Sequence, residues 1–356
     1  MKSKKDRLLA QPRALLAACA RRARHLFEDD ALAEVLSETL DPEWARLFVE
    51  HLDDFAQMAA EEEHDPLERA SDATFEDDVR RSNGIYFTPG GVSSGMAAAI
   101  PDDTPPGSAI LDLSAGDGGL LIAALHARPD LRVVAIEQQP ALAITCALNI
   151  LAARKSLAED VEHQPRHHED RVIVGDGLAA STELAQALAP KSSDGAGLAV
   201  ILGNPPYVGE KGNRALFEAI KREHPHLTAR VRARVDLSYL FLHRALDLLP
   251  EGGRLVYLTS EYWLMASGAD VLREDLAARS EIELFLRVDG QPLFQDAPGH
   301  HSLITVARRA PSAPAEQAPM VVELTEVPAG DDWPEVMRGA LESSISSDRG
   351  VVLRAA

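Results

Sequence analysis

Four consecutive residues, Asn204-Pro205-Pro206-Tyr207, carry the clearest chemical signal in the chain. Two prolines in a row fix the backbone and remove two donors, so the Asn204 side-chain oxygen is held beside the exposed carbonyl of Pro205. A pair of fixed acceptors next to an aromatic face suits a planar amino group. Such an amine, conjugated into a ring or a carboxamide, is a poor nucleophile because its lone pair is delocalised. Two hydrogen bonds accepted from its N–H groups turn the nitrogen toward a pyramidal form, while the Tyr207 ring stacks on the plane.

A second set of residues lies upstream, at the ends of apolar runs. The runs 109–113, 132–137, 171–174 and 198–202 read as strands, with helical stretches at 120–127 and 140–153 between them. This alternation predicts an α/β fold with a mostly parallel sheet and helices on both faces. The first run enters the Gly-rich turn Asp112-Leu113-Ser114-Ala115-Gly116-Asp117-Gly118-Gly119, the second ends in Glu137, and the third ends at Asp176-Gly177. Ligands of open α/β sheets sit beyond the carboxyl ends of the strands. A pyrophosphate site wants backbone N–H groups and no added negative charge, whereas this turn carries Asp112 and Asp117. Carboxylates there suit a ligand with a positive group. S-adenosylmethionine (SAM) has an ammonium and a sulfonium, together with a ribose for Glu137 and an adenine for Asp176.

The elements around these residues divide the chain into three expected parts: a helical, acidic region at 1–80, a catalytic domain at 81–310 and a short extension at 311–356. Apolar spacing over 8–63 predicts two or three helices, one of them opened by Asp41-Pro42-Glu43 as N-cap, N1 proline and acidic first turn. A periodic helix at 236–249, a strand at 255–259 and two apolar runs at 282–288 and 302–307 complete the second part. The loop between those last two runs contains Phe294.

Charge is distributed as unevenly as the motifs. The chain holds 36 Lys plus Arg against 56 Asp plus Glu, a formal net charge of −20. Residues 1–24 carry a local +7 and residues 25–80 a local −16. An acidic block repels a phosphate backbone, so it fits either a cap on the next domain or a docking surface for a separate subunit. The segment 208–234, directly after the Asn204–Tyr207 turn, is instead basic. It holds Lys211, Arg214, Lys221, Arg222, Arg230, Arg232 and Arg234 against three Glu, with His224 and His226 besides. That placement predicts contacts with a nucleic-acid backbone.

Cys19 and Cys146 are the only cysteines, without a CxxC or Cys/His cluster. A disulfide framework and a cysteine-built zinc site are excluded; no metal is expected, and the setting is expected to be reducing and cytoplasmic. Neither cysteine has the Pro-Cys context of a nucleophile. With no run of about 18 apolar residues, neither a membrane span nor a signal peptide is expected. The histidines of 163–168 read as a surface linker, and Asn149 has no role that spacing assigns.

The Asn204–Tyr207 turn, with Asp112-x-Ser114-x-Gly116-x-Gly118 before it, closely resembles the gamma-group, Taq-type N6-adenine DNA methyltransferases of the class I SAM-dependent superfamily. The resemblance covers residues 84–309. Gly84-Ile85-Tyr86-Phe87-Thr88-Pro89 is similar to the family's segment that closes over the methionine end of the cofactor, so Tyr86, Thr88 and Pro89 are implied cofactor contacts. Asp112, Ser114, Gly116 and Gly118 match its Gly-rich turn, Glu137 its ribose-binding acid, and Asp176 with Gly177 its adenine-binding strand end. Asp236–Leu242, Leu248–Leu255 and Trp263-Leu264 follow in the family's order, and Phe294 falls where a second aromatic meets the base.

The resemblance implies a Rossmann-like methyltransferase sheet, mostly parallel with an antiparallel C-terminal hairpin. It also implies direct methyl transfer from SAM to the amino group of a flipped-out adenine in DNA, in a restriction-modification or defence setting. The amine is held by Asn204, which also borders the cofactor, and by the Pro205 carbonyl; Pro206 stiffens the turn, and Tyr207 and Phe294 hold the base. Two departures accompany the match. Asp117 stands where the family has a small residue, and only 47 residues follow Arg309, without room for a full target-recognition domain. Sequence recognition by a partner, or low specificity, is the consequence expected. Protein-glutamine N5-methyltransferases use the same turn, because a carboxamide is also a planar amine. An RNA adenine acceptor and a non-catalytic SAM- or DNA-binding subunit remain as further alternatives.

Overall fold

The structure, a computed structural model, describes residues 3–11, 13–27, 29–60, 88–159, 169–179, 184, 187–188, 196–288, 293, 301–310, 320–324, 326–346 and 352–355. Apolar residues at helical spacing fold the first described stretches into five helices rather than two or three: α1 (Lys4–Leu9), α2 (Arg13–Leu26), α3 (Asp29–Thr39), α4 (Pro42–Glu50) and α5 (Leu52–Ala60). α1 begins ahead of the span expected to be helical, and α4 starts at the predicted Asp41 cap. Ser3 and Asp6 form a capping box that starts α1, and the Asp41 carboxylate accepts from the N–H groups of Glu43 and Trp44 to start α4. These helices do not present their charge wholly outward. Lys4 pairs with Asp41 and Glu43 and lies over the Trp44 ring, and Arg24 pairs with Asp53, so the basic start and the acidic stretch partly neutralise one another.

The sheet follows after α6 (Gly90–Ala97). Its first half is β1 (Ala109–Asp112), α7 (Gly119–Ala127), β2 (Arg132–Glu137), α8 (Pro140–Glu159), β3 (Arg171–Val174) and β4 (Leu198–Gly203). Its second half is α9 (Arg214–Glu223), α10 (Leu237–Leu248), β5 (Arg254–Ser260), α11 (Asp270–Arg279), β6 (Ser280–Val288), β7 (Ser302–Arg309), β8 (Met320–Leu324), α12 (Trp333–Ser346) and β9 (Val352–Ala355). The nine strands lie in the order β3-β2-β1-β4-β5-β7-β6-β8-β9. Every neighbouring pair is parallel except the two made by β7, which runs antiparallel to β5 and β6.

Both faces of this sheet are covered, and the strand sequences show why. Ile110, Val133, Ala135, Val200, Leu202, Val256 and Leu258 face one apolar layer with α2, α6, α7, α8 and α12. Their alternates Leu111, Val134, Ile136, Ile201, Leu255 and Tyr257 face the other layer with α9, α10 and α11. The N-terminal helices close the edge next to β3: Leu40 bridges Val172, and Arg171 donates to the Glu38 carbonyl.

Two sequence expectations change here. Residues 140–158 of α8 do form a helix long and apolar enough to cross a bilayer, with a mean hydropathy of 1.3; in this fold it packs against α2, α7 and β3 and holds buried Cys146, Leu148 and Ile150. The weakly patterned tail after Arg309 joins the sheet through β8 and β9. Its helix α12 braces α6, with Trp333 against Gly91 and Gly95.

Candidate functional site

The chain leaves β1 toward β2 and β3 on one side, then returns to place β4 on the other side of β1. A crevice opens at such a reversal, beyond the carboxyl ends of the two strands. A cavity of about 370 Å³ lies there, bordered by Thr88, Asp112, Glu137, Asp176 and Asn204 among others. The three strand-end acids and the asparagine of the proline turn, read from separate parts of the sequence, therefore meet at one site.

The Gly-rich turn is shaped by its own hydrogen bonds. Asp112 Oδ1 accepts from Ser114 N at 2.9 Å, Ala115 N donates to the Ile136 carbonyl at 2.9 Å, and Asp117 Oδ1 accepts from Gly119 N at 3.1 Å. Gly118 caps α7 at φ 88°, and a Cβ there would sit 2.8 Å from Cys146 Sγ, so only glycine fits. At the third strand end a Cβ on Gly177 would meet the Leu113 carbonyl at 2.0 Å, which lets the Asp176 loop lie against the first turn. Asp117, the departure from the resemblance, has a structural use: its carboxylate takes the N–H of Gly119, and its carbonyl accepts from Asn149 Nδ2 at 3.1 Å. That gives Asn149 the role its spacing did not reveal.

Glu137 ties the second strand to the turn, accepting from Gly116 N at 3.0 Å and Gln139 N at 2.8 Å. Burial pushes the carboxyls of Asp112 and Glu137 up to about 7, with their backbone N–H partners opposing the shift and a neighbouring carboxylate adding to it. Two buried acids with spare lone pairs need cationic or hydroxyl partners to ionise. Ser114 Oγ, also on the cavity wall, is buried without a hydrogen-bond partner. These groups fit SAM as a class: cationic centres near Asp112, ribose hydroxyls at Glu137, and a further donor or acceptor at Ser114.

Asp176 is oriented from two sides. Its Oδ1 accepts from Leu178 N at 2.9 Å, and His224 Nε2 lies 2.9 Å from Oδ2. His224 is buried just past the end of α9, and Leu216 of that helix borders the cavity, so the basic segment forms one of its walls. Sequence reading took His224 only as added positive charge. Phe241 of α10 lines the cavity too and stands against Gly177, a contact hidden inside a helix whose periodicity signalled only a core.

At the proline turn, Asn204 Nδ2 donates to Thr88 Oγ1 at 3.1 Å, joining the segment before α6 to the site. The Tyr207 hydroxyl lies 2.5 Å from Asn204 Oδ1 and 3.0 Å from the Leu258 carbonyl at the end of β5. Pro206 borders the cavity as well. Pro89 stands next to Thr88 as the N-cap of α6, whereas Tyr86, Phe294 and the histidines of 163–168 lie outside the described residues. Cys19 and Cys146 are buried and line no part of the cavity; the Cys19 thiol is pushed up to about 11 by burial, despite its contact with Thr145.

The basic residues separate into groups. Arg230 is turned inward, binding Asp247 in a cluster with Asp275, Arg279 and His243 that joins the segment to α10 and α11. Lys221 pairs with Glu218, Arg222 with Glu223, and Arg214 with Glu210, all at the surface. Lys211, Arg232 and Arg234 are exposed, and Arg234 is the one non-glycine residue with positive φ, 62°, among the described residues.

Comparison with known proteins agrees with this architecture. Residues 144–294 match the Eco57I restriction-modification methylase family, a span that runs from α8 past the Asn204–Tyr207 turn. A 90-residue stretch, 24% of the chain, is 30% identical to the Type II methyltransferase M.TthHB8I of Thermus thermophilus and spans 21% of that relative's length. Among solved structures, a Listeria monocytogenes protein assigned to the class I SAM-dependent methyltransferases superposes with a TM-score of 0.54 at 14% identity, over 94% of this chain and 97% of the other. The type IIG restriction endonuclease BpuSI superposes at 0.56 and 15% identity, over 97% of this chain and 41% of that one. The methyltransferase subunit of a type I restriction-modification system from Streptococcus thermophilus gives 0.56 at 14%, over 84% and 62%. The chain has the fold of SAM-dependent methyltransferases, and its sequence is similar to restriction-modification methylases over its central part.

Proposed function

We propose that the chain is a SAM-dependent N6-adenine DNA methyltransferase acting in the cytoplasm within a restriction-modification or defence system. One observation carries this reading: Asn204 and the acids Asp112, Glu137 and Asp176 border a single cavity at the reversal of the sheet. Bound SAM supplies an electrophilic methyl group. Asp112, Ser114 and the turn glycines hold its methionine end with Tyr86, Thr88 and Pro89, Glu137 holds the ribose, and Asp176 with Gly177 holds the adenine.

The chain's own residues prepare the acceptor. Asn204 Oδ1 and the Pro205 carbonyl accept the two N–H bonds of the target amine and draw its lone pair out of conjugation. Tyr207 and Phe294 pack the extruded base from its faces, and Lys211, Arg214, Lys221, Arg222, Arg232 and Arg234 contact phosphates around it. The basic segment in the wall of the cavity supports a nucleic-acid acceptor over a protein glutamine, whose small carboxamide needs no such surface. On this reading 81–310 is the catalytic unit, extended by β8, α12 and β9 of 311–356, and 1–80 is a cap that also offers a docking surface to a specificity or nuclease subunit.

The test is transfer of labelled methyl from SAM to unmodified plasmid DNA, followed by nucleoside analysis. The expected product is N6-methyladenine, lost in Asn204→Ala. Incorporation into RNA or protein alone, or none with SAM binding intact, overturns the DNA reading.

A further inference from the structure

The turn after β5 exposes apolar side chains in a place where the fold has no need of them. Tyr262 is 58% exposed and Met265 90% exposed, the highest exposures among the large apolar residues described. The turn beneath them is firmly held. Trp263 is buried, donates from Nε1 to Thr259 Oγ1 at 3.1 Å and packs edge-on against Phe285. Arg273 donates to the carbonyls of both Trp263 and Ala266 at 2.8 Å, and the Tyr262 ring meets His301 edge-on. Glu261, the acid of the turn, is engaged by Arg287. Met265 and Tyr262 thus form an exposed apolar pair on a rigidly held turn, available for contact with a partner at little entropic cost.

The neighbours of this turn define what it meets. On one side lies the proline turn, through the hydrogen bond of Tyr207 to the Leu258 carbonyl. On the other lies the end of the basic segment: Arg234 reaches Ser267, and a Cβ on Gly268 would stand 2.2 Å from the Arg234 carbonyl, so the two backbones touch. Exposed Arg234 therefore borders Met265's turn on one side, while Leu258, in the strand that leads into the turn, meets Tyr207 on the other. Cations suit phosphates, and an exposed apolar side chain beside an arginine suits stacked base pairs.

We propose that Met265, flanked by Tyr262, is a wedge that enters the base stack of duplex DNA at the step from which the target adenine leaves. The inference rests on the DNA reading above and adds how the gap in the stack is filled. Extruding a base costs a few kcal/mol of stacking and pairing. An apolar side chain that occupies the vacated space offsets part of that cost and slows the return of the base.

The experiment compares wild type with Met265→Ala, Met265→Phe and Lys211→Ala on unmodified plasmid DNA, recording single-turnover methyl transfer, duplex Kd, SAM Kd and Tm. Met265→Ala is expected to slow single-turnover transfer about tenfold or more, with SAM Kd unchanged, as a lost wedge contribution of somewhat over 1 kcal/mol requires. Met265→Phe, which restores an apolar wedge, is expected to recover most of the rate, whereas Lys211→Ala raises duplex Kd. An unchanged rate in Met265→Ala, as for a protein-docking face, overturns the wedge, and so does a loss traced to weakened SAM binding or lowered Tm. Failure of wild type itself to methylate DNA overturns the underlying reading and is distinguished by that control.

Discussion

The Tyr207 hydroxyl lies within hydrogen-bonding reach of two acceptors, Asn204 Oδ1 at 2.5 Å and the Leu258 carbonyl at 3.0 Å, with one proton to give. When an amine arrives at Asn204 Oδ1, the hydroxyl can give its proton to Leu258 and keep the ring in place. The ring and the amide then act separately, which orders the variants. Asn204→Ala is expected to lower the single-turnover rate by about 100-fold or more, as removal of a buried hydrogen-bonding partner of a reacting group does. Tyr207→Phe keeps the ring and is expected to lose about tenfold or less, while Tyr207→Ala loses ring and anchor together. Equal losses in the two tyrosine variants would place the whole effect in the hydroxyl.

Asp112 and Glu137 make cofactor affinity depend on pH. Both carboxyls are raised to about 7, so the ligand-free protein holds protons that the unfolded chain releases near pH 4. Their contribution to folding is complete below that lower value and is lost as pH rises through about 7. A ligand that brings positive charge and ribose hydroxyls favours the ionised forms, so the expected direction for binding is the opposite. SAM affinity should increase by about tenfold or more from pH 6 to pH 8, with proton release on binding. Calorimetry in two buffers of different ionisation enthalpy measures both quantities; pH-independent affinity would show that neither acid changes state.

These side chains also show what the sequence revealed and what it did not. Strand ends could be read because a buried parallel strand is a short apolar run and its ligand-facing end is an acid or glycine, as at Asp112, Glu137 and Asp176-Gly177. The Asn204 turn was legible because two prolines leave a recognisable backbone. His224, Asn149 and Phe241 were not. Each reaches the site from a helix or its end, and its partner lies 32 to 64 residues away in the chain, so only tertiary packing pairs them. The C-terminal strands were missed for a related reason. β8 follows the proline-rich stretch 310–319 and pairs with β6, and its five residues gain their strand character from the neighbour they pair with.

The basic segment, uniform in sequence, should divide in experiment. Arg230 has a side chain only 18% exposed and is enclosed by Asp247 and Asp275, and against the pull of burial the contacts of His243 and Arg279 hold the Asp275 carboxyl down to about 2. Removing one partner of such a cluster leaves buried charge unsatisfied. Arg230→Ala is therefore expected to lower Tm and leave the salt dependence of DNA binding nearly unchanged. Lys211→Ala and Arg232→Ala should leave Tm alone and reduce the slope of log Kd against log salt concentration by about one each. A salt slope that shifts with Arg230 but with neither exposed residue would reverse this assignment.

His224 offers the sharpest separation of cofactor binding from transfer. Its Nε2 holds Asp176 Oδ2, while Leu178 N holds Oδ1, so the carboxylate is fixed with one lone pair on each oxygen left for a ligand. Deleting the imidazole frees the carboxylate to turn toward solvent without touching the amine-binding residues. His224→Ala is expected to raise SAM Kd by about five- to tenfold, equivalent to losing roughly 1 kcal/mol of orientation, with single-turnover rate at saturating SAM retained. His224→Asn or His224→Gln, which keep a donor, should restore part of the affinity. Because the histidine sits at the end of α9, the same variant tests whether the basic helix and the cofactor sense one another. Wild type should bind SAM more tightly with duplex DNA present, and His224→Ala should lose that gain. A fall in saturated rate with SAM affinity intact would instead assign His224 to the placement of DNA.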